Sequence, residues 1–162
     1  MSWYEVSVTL HILAACIWVG GMIFLALVVL PILRQREYRF VAGPLIRGAG
    51  VRFRWVGWMA VATLVLTGLA NLRFRGYGWT QLRDGSGWQG WFGHTLAAKL
   101  ILVAAVVVIS AVHDLVLGPV AAEQLDTAAA QRLRRRAAWM GRVVLLFSIA
   151  VVALGVILVR GV

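Results

Sequence analysis

The sequence predicts an all-α integral membrane protein, an up-down-up-down bundle of four helices with both termini outside. Three observations predict it. Of 162 residues, 62% are hydrophobic and 14% charged, against about 45–50% and about 25% in a soluble domain. The apolar residues fall into four runs, each near the ~20 residues that cross a ~30 Å hydrocarbon layer. The arginines fall between those runs, in alternating abundance. No series of short alternating strands is present, so a barrel is not expected.

The runs come in order, within a single membrane domain covering residues 1–162. The first spans about Trp3 to Leu33. Its stretch from Leu10 to Leu30 holds no formal charge, and Pro31 with Arg34-Gln35-Arg36 ends it. It is too long for the apolar region of a cleavable signal peptide. The second runs from about Trp55 to Leu72, up to Arg73. The third runs from about Phe92 to Leu117 and is closed by Gly118-Pro119. The fourth runs from about Ala138 to Val159 and is capped by Arg160.

Orientation follows from arginine placement. The first connection carries Arg34, Arg36, Arg39, Arg47, Arg52 and Arg54, and the third carries Arg132, Arg134, Arg135, Arg136 and Arg142. The second has only Arg73, Arg75 and Arg83. The positive-inside rule therefore sets the connections 34–54 and 120–142 in the cytoplasm of a bacterial-type inner membrane. Trp3, Trp55, Trp58, Trp79, Trp88 and Trp91 fall near the expected boundaries, as an aromatic belt requires, and Trp139 fits the inner end of the fourth run. Trp18 falls mid-helix and is expected inside the bundle. The glycine-rich segment from Gly76 to Gly93 reads as a flexible outer cap. The alanine-rich segment from Glu123 to Arg136 reads as a helical extension or a surface helix.

The net charge of +10 comes from arginines placed to meet anionic headgroups, so the partner is a lipid bilayer rather than nucleic acid. The lone Cys16 cannot form an internal disulfide. No phosphate loop, nucleophile–base pair or carboxylate pair appears, which leaves hydrolase chemistry without support.

Polar residues inside apolar runs need explaining. They are His11, Thr67, Asn71, His94, Lys99, His113, Asp114 and a few hydroxyls. His11, His94 and Lys99 all fall in the outer leaflet, while His113 lies ~28 Å from His94 along its helix. His11 and His94 suit the two axial positions of a haem. Small residues at the same depth (Ala14, Ala15, Gly68, Ala70, Ala97, Ala98, Ala153 and Gly155) make room for a macrocycle. Arg73, Arg75, Arg83 and Arg160 are placed to hold its propionates. Such small residues also serve plain close packing, and His113 beside Asp114 also reads as interfacial. Copper is the competing chemistry. Cys16, Met22 and Met59 supply sulfur, but Met22 lies ~16 Å beyond His11.

Several stretches resemble the copper-resistance protein D family. They are His11-Ile-Leu-Ala-Ala-Cys16-Ile-Trp18-Val-Gly20-Gly21, then Arg52-Phe-Arg-Trp55 with Leu66-Thr67-Gly68-Leu69-Ala70-Asn71, then Phe92-Gly93-His94-Thr-Leu96-Ala-Ala-Lys99-Leu100, followed by Pro119. That resemblance implies a role connected with copper at the inner membrane. The chain is also similar to the HemJ-type protoporphyrinogen oxidases, small haem-binding membrane proteins. That likeness marks His11 and Lys99, although His94 stands five residues before Lys99 rather than two.

The expectation is a bundle binding haem b in its outer half, with His11 and His94 as axial candidates, Lys99, Arg73 and Arg160 nearby, and His113 as a further metal candidate. The expected role is redox chemistry or electron transfer, with a quinone or an oxygen species as partner. The alternative is copper binding or copper transport. A further alternative is a structural subunit of a membrane complex or a homo-oligomer.

Overall fold

The computed structural model describes residues 1–117 and 128–161, and they are almost wholly helical. Helix α1 spans Trp3–Phe24 and continues through a π-turn, Leu25–Val29, into the short α2, Leu30–Leu33. Helix α3 spans Arg39–Phe74 and the short α4 spans Trp79–Arg83. Helix α5 spans Gly90–Val112 and runs into a second π-turn, His113–Leu117. Helix α6 spans Ala128–Arg160. Four spans are long and apolar enough to cross a membrane: Trp3–Leu33, Phe40–Phe74, Gly90–Leu115 and Gln131–Arg160. The expected closure at Gly118-Pro119 lies outside the described residues, as does the part of the third connection up to Thr127.

The start of α1 is fixed locally. Ser2 accepts from the Glu5 backbone N–H at 3.3 Å, and the Glu5 carboxylate accepts from the Ser2 N–H at 2.8 Å. This reciprocal capping box satisfies two otherwise orphaned donors. Two helices are longer than their apolar runs suggest. At 1.5 Å per residue α3 is ~54 Å and α6 ~50 Å long, well beyond the ~30 Å hydrocarbon layer. The added length lies in their arginine-bearing N-terminal parts, where charge and glycine hide helix from a hydropathy reading. Pro44 is tolerated inside α3.

The chain divides into two compact units, Met1–Thr80 and Gln81–Val162, and each is built on a pair of long helices. In the first, α1 and α3 pair antiparallel. Tyr4 meets Phe74 edge-on at 5.9 Å, Ser7 bonds the Thr67 carbonyl, and Trp18 stacks on Phe53 at 6.0 Å. As α1 advances, α3 retreats. The α1 contact positions 4, 7, 11, 14, 18 and 21 alternate steps of three and four, as in a coiled-coil seam. Continued as regular helix, that pattern would reach Leu25, then Val28 and Ile32, yet the last two are exposed and Leu33 is buried. The π-turn inserts the extra residue that returns Leu33 to the seam.

In the second unit α5 and α6 pair in the same manner. Leu96, Val106 and Ser110 are buried on α5, and Val144, Ser148 and Leu158 on α6. The outward faces of both pairs are apolar and uncovered, with Leu27 72% and Ile101 69% exposed. In water such faces would drive aggregation; in a bilayer they meet acyl chains. The protein is therefore a multi-pass membrane protein in contact with lipid.

The segment between α3 and α5 is better built than its glycines suggest. In the second unit the Trp88 indole N–H donates to the Leu82 carbonyl at 2.9 Å. A Cβ at Gly87 would meet the Gln81 backbone, and one at Gly93 would overlap the Trp88 backbone. Asp84 accepts from the Ser86 hydroxyl at 2.7 Å and its N–H at 2.9 Å. These bonds favour the charged carboxylate and hold Asp84 below its ordinary value of 3.8, the hydroxyl contributing most.

Candidate functional site

In the first unit the polar residues gather on one side of the α1/α3 seam. His11 lies eight residues into α1 beyond Trp3, ~12 Å along the axis. Its Nδ1 is 2.8 Å from the Thr67 hydroxyl oxygen. That hydroxyl has one proton, and it is committed to the Thr63 carbonyl at 2.6 Å. Thr67 must therefore accept, and His11 must donate from Nδ1. The His11 Nδ1 nitrogen therefore carries a proton. A hydrogen bond from one ring nitrogen is also what orients the imidazole in metal-binding histidines.

The surroundings hold the ring in place. Gly68 follows Thr67, and a Cβ there would sit 3.4 Å from His11 Cε1. Glycine gives the imidazole room against the α3 backbone. Ser7, one turn before His11, is buried and donates to the Thr67 carbonyl at 3.4 Å. Asn71, one turn beyond Thr67, has a buried side-chain oxygen without a hydrogen-bond partner among the described residues. On the other side of His11 the seam turns apolar: Ala14 and Trp18 on α1 against Ala60, Gly57 and Phe53 on α3. A Cβ at Gly57 would meet the Trp18 ring at 2.7 Å, so the stack depends on that glycine. Trp18 is buried, as its mid-helix position leads one to expect.

The remaining sequence candidates belong to the second unit or to exposed ends. Lys99 is half-buried on α5. Its Nζ lies 3.2 Å, and its Cε 4.0 Å, from where a Cβ at Gly155 would stand. The ammonium thus lies over the face of α6 where glycine leaves space. His94 is exposed in the first turn of α5. His113 opens the second π-turn, and its Nδ1 is 3.0 Å from Asp114 Oδ1. Arg73 and Arg75 at the end of α3, Arg83 in α4 and Arg160 at the end of α6 are exposed. Cys16 is exposed, and Met59 is 70% exposed. Among the described residues no three His, Cys, Asp or Glu side chains gather into a metal cluster.

A family model described as copper resistance protein D matches residues 47–158. The chain belongs to the copper resistance protein D family. The match takes in Thr67, Gly68, Lys99 and Gly155, while His11 lies ahead of it. A protein of Aquifex aeolicus (strain VF5), described only as an uncharacterized protein, is 33% identical over 153 residues, which is 94% of this chain and 92% of the relative. No solved structure matches. In this CopD-family protein the partner of His11 was within reach of sequence reasoning, since Thr67 is among the few polar residues of its run. The Ser7 contact and the glycine recess at Gly68 carried no such signal.

Proposed function

We propose that the protein handles copper as cargo within a bacterial-type inner membrane, and that His11 is the residue that takes it. The observation that carries this reading is the Thr63–Thr67–His11 chain of hydrogen bonds, which holds the imidazole in a fixed direction through Nδ1. The family's connection with copper resistance supports the choice of metal. Imidazole suits copper in either oxidation state. A neutral ring also costs far less in an apolar span than an ion would.

Each residue has a task in this reading. His11 binds through Nε2. Thr67 fixes the ring's tautomer and direction. Gly68 provides the recess, and the Trp18–Phe53 stack keeps water from the apolar side. One imidazole without a cluster of strong ligands suits a passing ion better than a permanent centre. The positive-inside reading of the arginines supports a non-cytoplasmic position for both termini, and with them the His11 end of α1.

The test is retention after purification in detergent. Wild type should carry copper that His11→Ala lacks, by elemental analysis. Equal copper in both proteins would end the proposal for this site. The same preparations decide the haem alternative. A Soret band in wild type that His11→Ala loses would assign the ligand position to haem iron instead.

A further inference from the structure

An unanswered charge lies on α3, thirteen residues before Thr67 and ~20 Å from it along the axis. Arg54 is half-buried, and its Nε is sealed from solvent with no hydrogen-bond partner among the described residues. Only two other side-chain atoms among those residues share that state, the oxygens of Asn71 and Ser110, and both belong to neutral groups. A guanidinium keeps its charge at every working pH and carries five N–H donors. Covering such a group without an acceptor is expensive. The first unit offers no carboxylate for it. Residues 1–80 hold eight arginines and two glutamates. Glu5 is committed to the cap of α1, and Glu37 stands in the exposed turn Arg36–Tyr38. Neither bonds Arg54.

The same face of α3 leaves room for an acceptor from outside the chain. Gly50 lies one turn before Arg54, and a Cβ there would meet nothing within 4 Å. Arg47 is exposed and lies two turns before Arg54, on the same face. Along the axis the open step at Gly50 is ~4.5 Å from Arg47 and ~6 Å from Arg54. An arginine side chain spans either interval, so the two guanidinium groups can meet one anion over bare backbone. The depth of this notch says which anion. Arg54 immediately precedes the apolar run that begins at Trp55 and ends at Leu72, a length of ~27 Å, close to the hydrocarbon thickness. Arg54 therefore stands at the level of the phospholipid phosphates, where indoles such as Trp55 and Trp58 also gather.

A phosphodiester presents two oxygens sharing one negative charge, which the planar fork of a guanidinium grips in a bidentate manner. We infer that Arg54 and Arg47, on either side of Gly50, form a seat for the headgroup phosphate of one anionic phospholipid. The surplus of arginine around it disfavours a headgroup that brings its own cation. This seat differs from the general attraction of surface arginines to a charged bilayer, because it joins a covered, unpaired donor to an open notch. It stands independently of the copper reading and of which membrane face carries it.

The experiment uses the purified full chain in an uncharged detergent, with thermal unfolding followed by tryptophan fluorescence. Phosphatidylglycerol is compared with phosphatidylcholine of the same acyl chains at equal mole fraction, so the difference in Tm isolates the headgroup. With phosphatidylglycerol at ~100 times its dissociation constant, wild type should melt roughly 5–10 °C above its value in phosphatidylcholine. Arg54→Gln should lose most of that difference. Gly50→Leu keeps both charges and sets its side chain into open space, so it folds and blocks the notch; it should lose the difference as well. Arg73→Gln, at the opposite end of α3, removes the same charge and should keep it, as should His11→Ala. Equal melting of wild type in both lipids would overturn the inference. So would a full difference in Arg54→Gln or Gly50→Leu, or an equal loss in Arg73→Gln, which would reduce the effect to net charge. A matching rise with inorganic phosphate and no lipid would assign the seat to free phosphate and overturn the lipid reading.

Discussion

Thr67→Val separates the orienting role of Thr67 from its bulk. Valine keeps the branched shape, so no cavity opens in the α1/α3 seam, but it can neither accept from His11 nor donate to Thr63. The bond removed is 2.8 Å long, and a buried donor left unpaired costs about 1–3 kcal/mol. The proton can then move to Nε2, which removes the lone pair needed for binding. Loss of a residue that orients a metal-binding histidine typically lowers affinity about 10–100-fold. Thr67→Val should therefore weaken copper binding by that factor, Thr67→Ser should restore most of it, and His11→Ala should abolish it. A competition titration of the purified protein against a colorimetric copper(I) chelator reads all three. If Thr67→Val binds as tightly as wild type while His11→Ala does not bind, the tautomer argument is wrong. If Thr67→Ser is as weak as Thr67→Val, the hydroxyl is not what orients the ring.

Further expectations follow from the glycines and the loop. Gly57→Ala sets a Cβ 2.7 Å from the Trp18 ring and should destabilise the first unit by about 1–3 kcal/mol, as overpacking does; detergent unfolding curves and a shift in tryptophan emission would register it. Gly155→Ala meets only the flexible end of Lys99 and should change stability little, whereas Gly155→Leu should displace the ammonium and lower Tm. Gly93→Ala, which drives a methyl into the Trp88 backbone, should loosen the segment before α5 and speed its proteolysis, with Gly20→Ala, where a Cβ meets nothing within 4 Å, as a control. Asp84 titrates below 3.8 in the folded chain. Its contribution to stability is therefore complete above 3.8 and is lost as pH falls through the lower folded value. Carboxylate NMR should show Ser86→Ala moving the titration upward toward 3.8, and no movement would refute the assignment to Ser86.

How much of this was legible in the sequence depends on which physical signal carried it. The four spans were legible because bilayer burial demands length and hydropathy, both written directly in composition. The N-terminal part of α3 was not. Arg39, Arg47, Arg52 and Arg54, together with Gly43, Gly48 and Gly50, read as a loop, yet backbone hydrogen bonding carries the helix through them. The seam was hidden for another reason. In a membrane helix both faces are apolar, so periodicity does not mark the buried side. Only His11 and Thr67 betray it, as polar residues that need partners. The π-turns leave no composition signal at all, and Leu33 shows their effect only through its burial. His11 was legible as a candidate, but the proton on its Nδ1 was not, because that depends on where the Thr67 proton goes.

The Trp18–Phe53 stack has a consequence for traffic through the first unit. Beyond His11 the seam offers Ala14, Trp18 and Gly21 against Ala60, Gly57 and Phe53, with no side chain able to solvate an ion. If His11 takes an ion, as proposed, that ion would find no polar partner further along the α1/α3 seam and would have to leave by the side from which it entered.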